Sequence, residues 1–287
     1  MRNRLTGQQL RNALAGIILA GALWPASANG QGAAEIAKSL QDPLASIAAL
    51  MTDNAVNFRT GQPEETTGYN FQLQPVYSVP AETFNFIPRA VIPIIGAPQG
   101  ANWPGLGEPS AATGTTWGLG DIILQTFFNP KSDGGWKWGI GPQFSLKTAT
   151  DSALAGPGWG AGVGGVLVGG VGDVSLAFLV NQHWGQDGFS VSSLQPMIFY
   201  NLPSLPGFAI SYNNTISLDW NGTAGNEWTV PLGLGVSQAF QVGGGHGLEL
   251  LLGYYWMVER PEGAPDSQLR FMVSWLIPRG SFGRSGV

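Results

Sequence analysis

From about residue 50 onward the chain alternates apolar positions with polar or small ones. The pattern is clearest between residues 227 and 277, where three such runs follow one another. In the first, Trp228, Val230, Leu232, Leu234, Val236 and Phe240 share a face, with Thr229, Gly233, Gly235, Ser237 and Ala239 opposite. The second sets Leu248, Leu250, Leu252, Tyr254 and Trp256 against Glu249, Gly253 and Tyr255. The third sets Leu269, Phe271, Val273, Trp275 and Ile277 against Gln268, Arg270 and Ser274. Successive side chains of a strand point to opposite faces, so each run predicts a strand between an apolar and a polar environment.

The same reading predicts twelve strands, at 50–60, 69–79, 84–95, 117–129, 136–148, 159–170, 173–184, 191–201, 207–219, 227–240, 247–258 and 267–278. Each is near the length a tilted strand needs to cross a bilayer. The first has the weakest pattern, because Asp53, Asn54 and Asn57 interrupt it. It is kept on the parity of the connections. One set, 80–83, 130–135, 171–172, 203–206 and 241–246, is mostly short and built from Pro and Gly. The alternate set, 61–68, 96–116, 149–158, 185–190, 220–226 and 259–266, is mostly longer. Bacterial barrels have short periplasmic turns, longer outer loops and an even number of strands.

A soluble sandwich also alternates, but its polar face carries charge to water. Here charged residues are 11% of the chain, against the roughly 25% usual in soluble domains. Trp117, Trp159, Trp184, Trp220, Trp228 and Trp256 fall at the loop ends of the predicted strands. Trp136 and Trp275, with Phe84, Phe128, Tyr200 and Phe240, fall near the turn ends. Indole and phenol rings favour the boundary between hydrocarbon and headgroups, so these positions read as two membrane girdles. The fold class predicted is all-β: a transmembrane antiparallel β-barrel of about twelve strands, with lipid outside and a polar lumen. Residues 161–180 could otherwise be a membrane helix, but six glycines and Asp173 argue for a hairpin instead.

Residues 1–28 read as a secretory signal peptide. Arg2, Arg4 and Arg11 precede an apolar stretch, and Ala26, Ser27 and Ala28 supply the small residues of a cleavage site. Residues 29–49 then form a periplasmic or lumen-plugging segment, with a short helix predicted over 33–41 and ended by Asp42 and Pro43. The barrel is assigned to 50–279 and a tail to 280–287. Without the signal, 10 basic residues face 18 acidic ones, a formal net charge of −8. That leaves no basic footprint for nucleic acid. The absence of cysteine excludes disulfides, a thiolate metal site and an acylated N-terminus.

Several stretches carry a family resemblance: AKSLQDPLASIAAL, NFQLQPVYSVP, WGLGDIILQTFFNPK, WGIGPQFSLKTATD, LQPMIFYNLP, EWTVPLGLGVSQAF and RPEGAPDSQLRFMVSWLIPR. Together they span about 37–279 and resemble a family of Gram-negative outer-membrane proteins described as candidate transporters. Some members carry the misleading name "neuromedin U", and the family is related to the barrel proteins of meta-pathway phenol degradation. The resemblance implies a bacterial outer-membrane barrel that moves small molecules, with outer-membrane lipids, a solute and the barrel-insertion machinery as partners. It carries no catalytic motif. The chain departs from the pattern in residues 280–287, beyond the expected end of the barrel near Pro278.

With the apolar face outward, the lumen receives Asn70, Gln72, Gln74, Arg89, Asp121, Gln125, Gln143, Lys147, Asn181, His183, Gln195, Asn213, Asp219, Glu249 and Arg270. Of these, Arg89, Asp121, Gln125, Gln143, Lys147, Asp219, Glu249 and Arg270 are the candidates for solute selection. Isolated charges are costly to bury, so Arg89, Lys147 and Arg270 are expected to meet Asp121, Asp219 or Glu249 across the lumen. Such a set either filters solutes or fills a narrow barrel. Two histidines and no cysteine give no metal or cofactor site. Gly160, Gly162 and Gly165 fit G-x-G-x-x-G, but without the strand–helix context of a dinucleotide site. They read as strand glycines. With His183 on the lumen face and no G-x-S-x-G, an enzyme is not expected. The function expected is passive passage of small, hydrophobic or aromatic solutes. The alternatives are a structural or binding barrel with a plugged lumen, acting through the 96–116 loop, and an outer-membrane hydrolase.

Overall fold

The computed structural model describes residues 30–62, 66–102, 106, 114–132 and 134–278. The signal peptide, the tail at 280–287 and residues 103–105 and 107–113 of the 96–116 loop lie outside the described residues. A helix α1 (Gly30–Leu40) precedes twelve strands. These are β1 (Ala48–Thr60), β2 (Thr66–Tyr77, continued by Val79–Pro80), β3 (Phe84–Pro98) and β4 (Thr115–Leu119 and Ile122–Pro130). Next come β5 (Lys137–Leu146), β6 (Gly160–Val171), β7 (Val174–Trp184) and β8 (Ser190–Asn201). The last four are β9 (Phe208–Asn213 and Ile216–Asp219), β10 (Trp228–Val242), β11 (His246–Glu259) and β12 (Ser267–Ile277). Each strand pairs antiparallel with its sequence neighbours, and β1 pairs β12 from Ala48 opposite Ile277 to Phe58 opposite Ser267. The sheet is therefore a closed barrel without a free edge. No described helix is long and apolar enough to cross a membrane.

The strand that parity rather than pattern predicted is the one that closes the barrel. Asp53, Ala55 and Asn57 of β1 face inward, while Asn54 faces outward between Phe71 and Phe271. Those two rings lie 6.5 Å apart, and Asn54 is bonded to Thr52 Oγ1 and the Phe271 carbonyl. An outward polar group is thus roofed and satisfied, and this is why the alternation reads poorly here.

Two strands that the pattern reads as continuous are broken. In β4 the pairing is interrupted at Gly120–Asp121, and the facing parity changes. Trp117 points out, whereas Gln125, also at an odd position, points in. In β9 the break falls at Asn214–Thr215. Opposite it in β10 stands Pro231, which has no N–H to give, and pairing stops at Ser211–Gly235 to resume at Ser217–Thr229. The 172–173 turn, in contrast, follows simple chemistry: Gly172 has φ +59°, as a two-residue hairpin requires.

The long runs of outward apolar side chains remain uncovered. Leu232, Ile140 and Phe144 are 59%, 52% and 51% exposed, values that a water-soluble fold would avoid over so continuous a belt. Trp117, Trp159, Trp184, Trp220 and Trp228 are exposed at the loop end, with Trp256 partly covered by Tyr254. Trp136 and Trp275 are exposed at the turn end, joined there by Trp138.

Candidate functional site

The interior divides along the barrel axis. Toward the turn end, inward residues are apolar and packed: Ile87, Phe127, Val166, Val168, Ala177 and Leu179 form one buried cluster, and Phe199, Ala209 and Leu251 another. Toward the loop end they are amides and hydroxyls around an open vestibule of about 270 Å³. A polar lumen was expected throughout, and only the loop half has one. The turn half is filled because the chain preceding β1 enters it.

That segment begins with α1, whose Ala33 and Ala37 are fully buried against the inner side of β10 and β11. The close approach needs glycine in the wall, since a Cβ on Gly247 would stand 2.6 Å from Ile36. The chain turns at Asp42, which accepts from the Leu44 N–H at 2.8 Å just after Pro43 stops the helix. It then crosses to the far wall. Gln41 donates to Asn201 of β8 at 3.0 Å, and Asp42 pairs with Lys137 of β5 at 2.7 Å. Leu44, 1% exposed, seats beside Gly139 in the first apolar cluster. Residues 30–47 therefore plug the turn end of the lumen.

Between the plug and the vestibule lies a smaller chamber of about 80 Å³. Asp53 and Arg89 line both spaces and mark the narrowing between them. Here Arg270 holds Asp53 through two bonds, Nε–Oδ1 at 2.7 Å and Nη2–Oδ2 at 2.5 Å. Its Nη1 reaches across the lumen to the Asn213 carbonyl, the very group freed by the break in β9. The Asn213 N–H finds the buried Tyr255 hydroxyl at 3.1 Å, and Asn213 Oδ1 accepts from Gln195 at 2.8 Å. A parallel link runs from Asn214 to Gln268 and on to Asn57, at 3.0 and 2.9 Å. The broken strand thus recovers its hydrogen bonds from side chains of β11 and β12, two and three strands away, and the lumen acquires a strut.

The expected pairing of charges does not form. Arg270 meets Asp53, a residue the pattern had marked only as a disturbance, instead of Asp121, Asp219 or Glu249. Lys147 lies beyond the end of β5 and is exposed, so it takes no place in the lumen. Asp219 ends β9 and accepts from the Asn221 N–H at 2.9 Å in the loop region. Glu249 is buried beside Gln41 and Ser237 in the small chamber, with Oε1 unpartnered. Arg89 makes no hydrogen bond or ion pair among the described residues, and its Nε is buried and unpartnered. Gln125 and Gln143 sit in the vestibule wall as expected from alternation. Gln125 donates to Gln143 at 3.3 Å and to Asn181 at 2.6 Å.

Asp121 has a different role from an ion pair. Its carboxylate accepts four backbone N–H bonds: Thr148 at 3.0 Å, Ala149 at 3.1 Å, Gly156 at 2.9 Å and Gly158 at 2.8 Å. Positioned by the β4 bulge, it pins the 147–159 loop over the vestibule rim. Hydrogen bonds to a charged group contribute about 1.5–3 kcal/mol each at most sites. Asp121→Ala is therefore expected to free this loop while the barrel stays folded. Limited proteolysis should show new cleavage within 147–159 and an unchanged heat-modifiable band on gels.

The glycines of the G-x-G-x-x-G match have a spatial purpose. Gly160 and Gly162 of the match, together with Gly164, lie on the inward face of β6, and a Cβ at Gly164 would lie 2.5 Å from Gln125 Nε2. At Gly162 it would lie 2.7 Å from Gln143 Nε2. Their bareness lets the amides lie flat against the wall. Nearby, His183 Nε2 and Ser145 Oγ are 2.9 Å apart, but His183 Nδ1 has no partner. An activated serine needs its imidazole oriented by a third group, which this pair lacks.

No family model and no curated protein matches the chain. Among solved structures it is similar in fold to an outer membrane channel from Pseudomonas putida F1. The TM-score is 0.53 at 13% identity, over 82% of this chain and 97% of that one. The NanC porin is a more distant likeness, with a TM-score of 0.47 at 10% identity over 80% of this chain and 99% of that chain.

Proposed function

We propose that the chain is a bacterial outer-membrane channel for passive passage of small solutes, entered from the vestibule and closed on the periplasmic side by residues 30–47. One observation carries the reading: a closed barrel with an exposed apolar belt surrounds an open polar vestibule that ends at a segment lying outside the strands and held in the lumen by side-chain contacts. A barrel that merely filled its lumen would need no vestibule. Lipid meets the belt, the tryptophans lie at its two borders, and the longer loops face outward. The apolar patches lining the small chamber, including Met51, Met197 and Met272, suit solutes with an apolar body.

Liposome swelling tests this reading. Vesicles carrying the folded chain are expected to swell at rates that fall from pentose to tetrasaccharide, and faster when the plug is loosened by Leu44→Asp. Impermeability to every sugar in both forms would sink it.

A further inference from the structure

We propose that the vestibule is a binding site for a small one-ring carboxylate, with Arg89 as the group that takes the anion. The inference rests on the channel reading for its role in solute choice, and on the lumen's charges for its chemistry. Among those charges Glu249 and Arg89 are the two left with a buried atom that makes no hydrogen bond, and they lie toward different ends of the lumen. Asp53 has both oxygens engaged by Arg270, and Arg270 is engaged by Asp53 and the Asn213 carbonyl. Asp121 is saturated by four backbone N–H groups, and Glu249 lies on the plug side beside Gln41 and Ser237. Arg89 has no hydrogen-bond partner among the described residues, its charge neighbour Asp53 is already held by Arg270, and the Arg89 side chain lines the floor of the vestibule.

A guanidinium is rarely left without acceptors inside a protein, because its planar donors match a carboxylate two at a time. Asn70 and His183, each with an orphaned polar atom just beneath the surface, line the same space. Three unpartnered buried groups around one cavity indicate a polar guest rather than a packing fault. The remaining wall is mixed: amides of Gln125 and Gln143 alternate with the apolar surfaces of Ile123 and Phe189. A cavity of roughly 150 Å³ accepts benzene in another protein, and this vestibule is larger, at about 270 Å³. It has room for a ring with its carboxylate on Arg89.

The test uses benzoate and its neutral analogue benzyl alcohol, titrated calorimetrically into the full folded chain in detergent. Benzoate is expected to bind at least tenfold more tightly. Arg89→Gln should erase that preference and Arg89→Lys should keep part of it. Gln125 is the direct cross-strand neighbour of Arg89, so Gln125→Glu sets a carboxylate beside an intact guanidinium. It should erase the preference as well, which guards against misfolding of the Arg89 variants. Equal binding of the two probes by the wild-type chain, or an undiminished preference in Gln125→Glu, overturns the proposal. Bilayer recordings with sodium benzoate separate it from the channel reading. Binding without conductance would leave the site standing and remove the channel, and conductance without preference would do the reverse.

Discussion

Arg270→Ala lowers the stability of the folded barrel by about 3–5 kcal/mol, the usual cost of breaking a buried ion pair from one side. The side chains are 5% and 17% exposed, so solvent screens the pair very little. The substitution strands the Asp53 carboxylate in the lumen. It also removes the donor to the Asn213 carbonyl, at the point where β9 has already lost its partner in β10. Urea titration of the barrel in lipid vesicles, read by tryptophan fluorescence, measures the loss. The double variant Asp53→Leu/Arg270→Met should recover most of it, because an apolar pair leaves no uncompensated charge. An Arg270→Ala barrel within 1 kcal/mol of wild type would show the strut to be dispensable.

This strut also marks where the sequence stops being legible. Alternation locates all the strands to within a few residues, because every strand has one face in an apolar medium and one toward the lumen, so period two survives along its length. Even β1, with Asp53, Asn54 and Asn57, was recoverable from the parity of its ends. What alternation cannot report is depth along the barrel. Inward Phe127, Leu179 and Leu251 occupy the same face as Gln125, Asn181 and Gly253 one step away, and only the position of the plug decides which half is dry. Nor does it report partners across the lumen, since Arg270 and Asn213 are three strands apart in the wall.

Other signals of the breaks lie in the sequence itself. Pro231 inside an otherwise regular strand announced that its neighbour would lose hydrogen bonds there. The Gly120–Asp121 pair announced the bulge that turns Asp121 away from any cation and toward the backbone of a loop. Lys147 was placed in the lumen by extending the β5 alternation one step too far, past the last paired residue. In each case a strand breaks or stops where alternation implies that it continues. Glu249 is a different matter. Alternation did place it inward, but its surroundings are set by Gln41, from a segment whose path across the lumen no periodicity encodes.

Leu44→Asp opens the turn end and raises single-channel conductance several-fold. Three side-chain contacts hold residues 41–44 in the lumen. The Asp42–Lys137 pair is half exposed on the lysine side, so it contributes at most about 1 kcal/mol. The Gln41–Asn201 bond is a neutral hydrogen bond contributing about 1 kcal/mol. Leu44 is fully buried and stabilises docking by about 1.5–3 kcal/mol, the largest of the three contacts. An aspartate there loses that burial and must in addition leave a carboxylate among Ile87, Phe127 and Val166, at a further cost of several kcal/mol. Every 1.4 kcal/mol shifts the docked-to-undocked ratio tenfold, so the segment between Gln41 and Ile47 should spend most of its time outside the lumen. The wall itself is unaffected, because β1 begins only at Ala48 and pairs with β2 and β12 along its length. Leu44→Met, which keeps volume and polarity, should conduct as the wild type does. Bilayer recordings of the three proteins decide the matter. If the aspartate variant conducts no more than the leucine form, residues 30–47 are a fixed floor and the passage must run elsewhere.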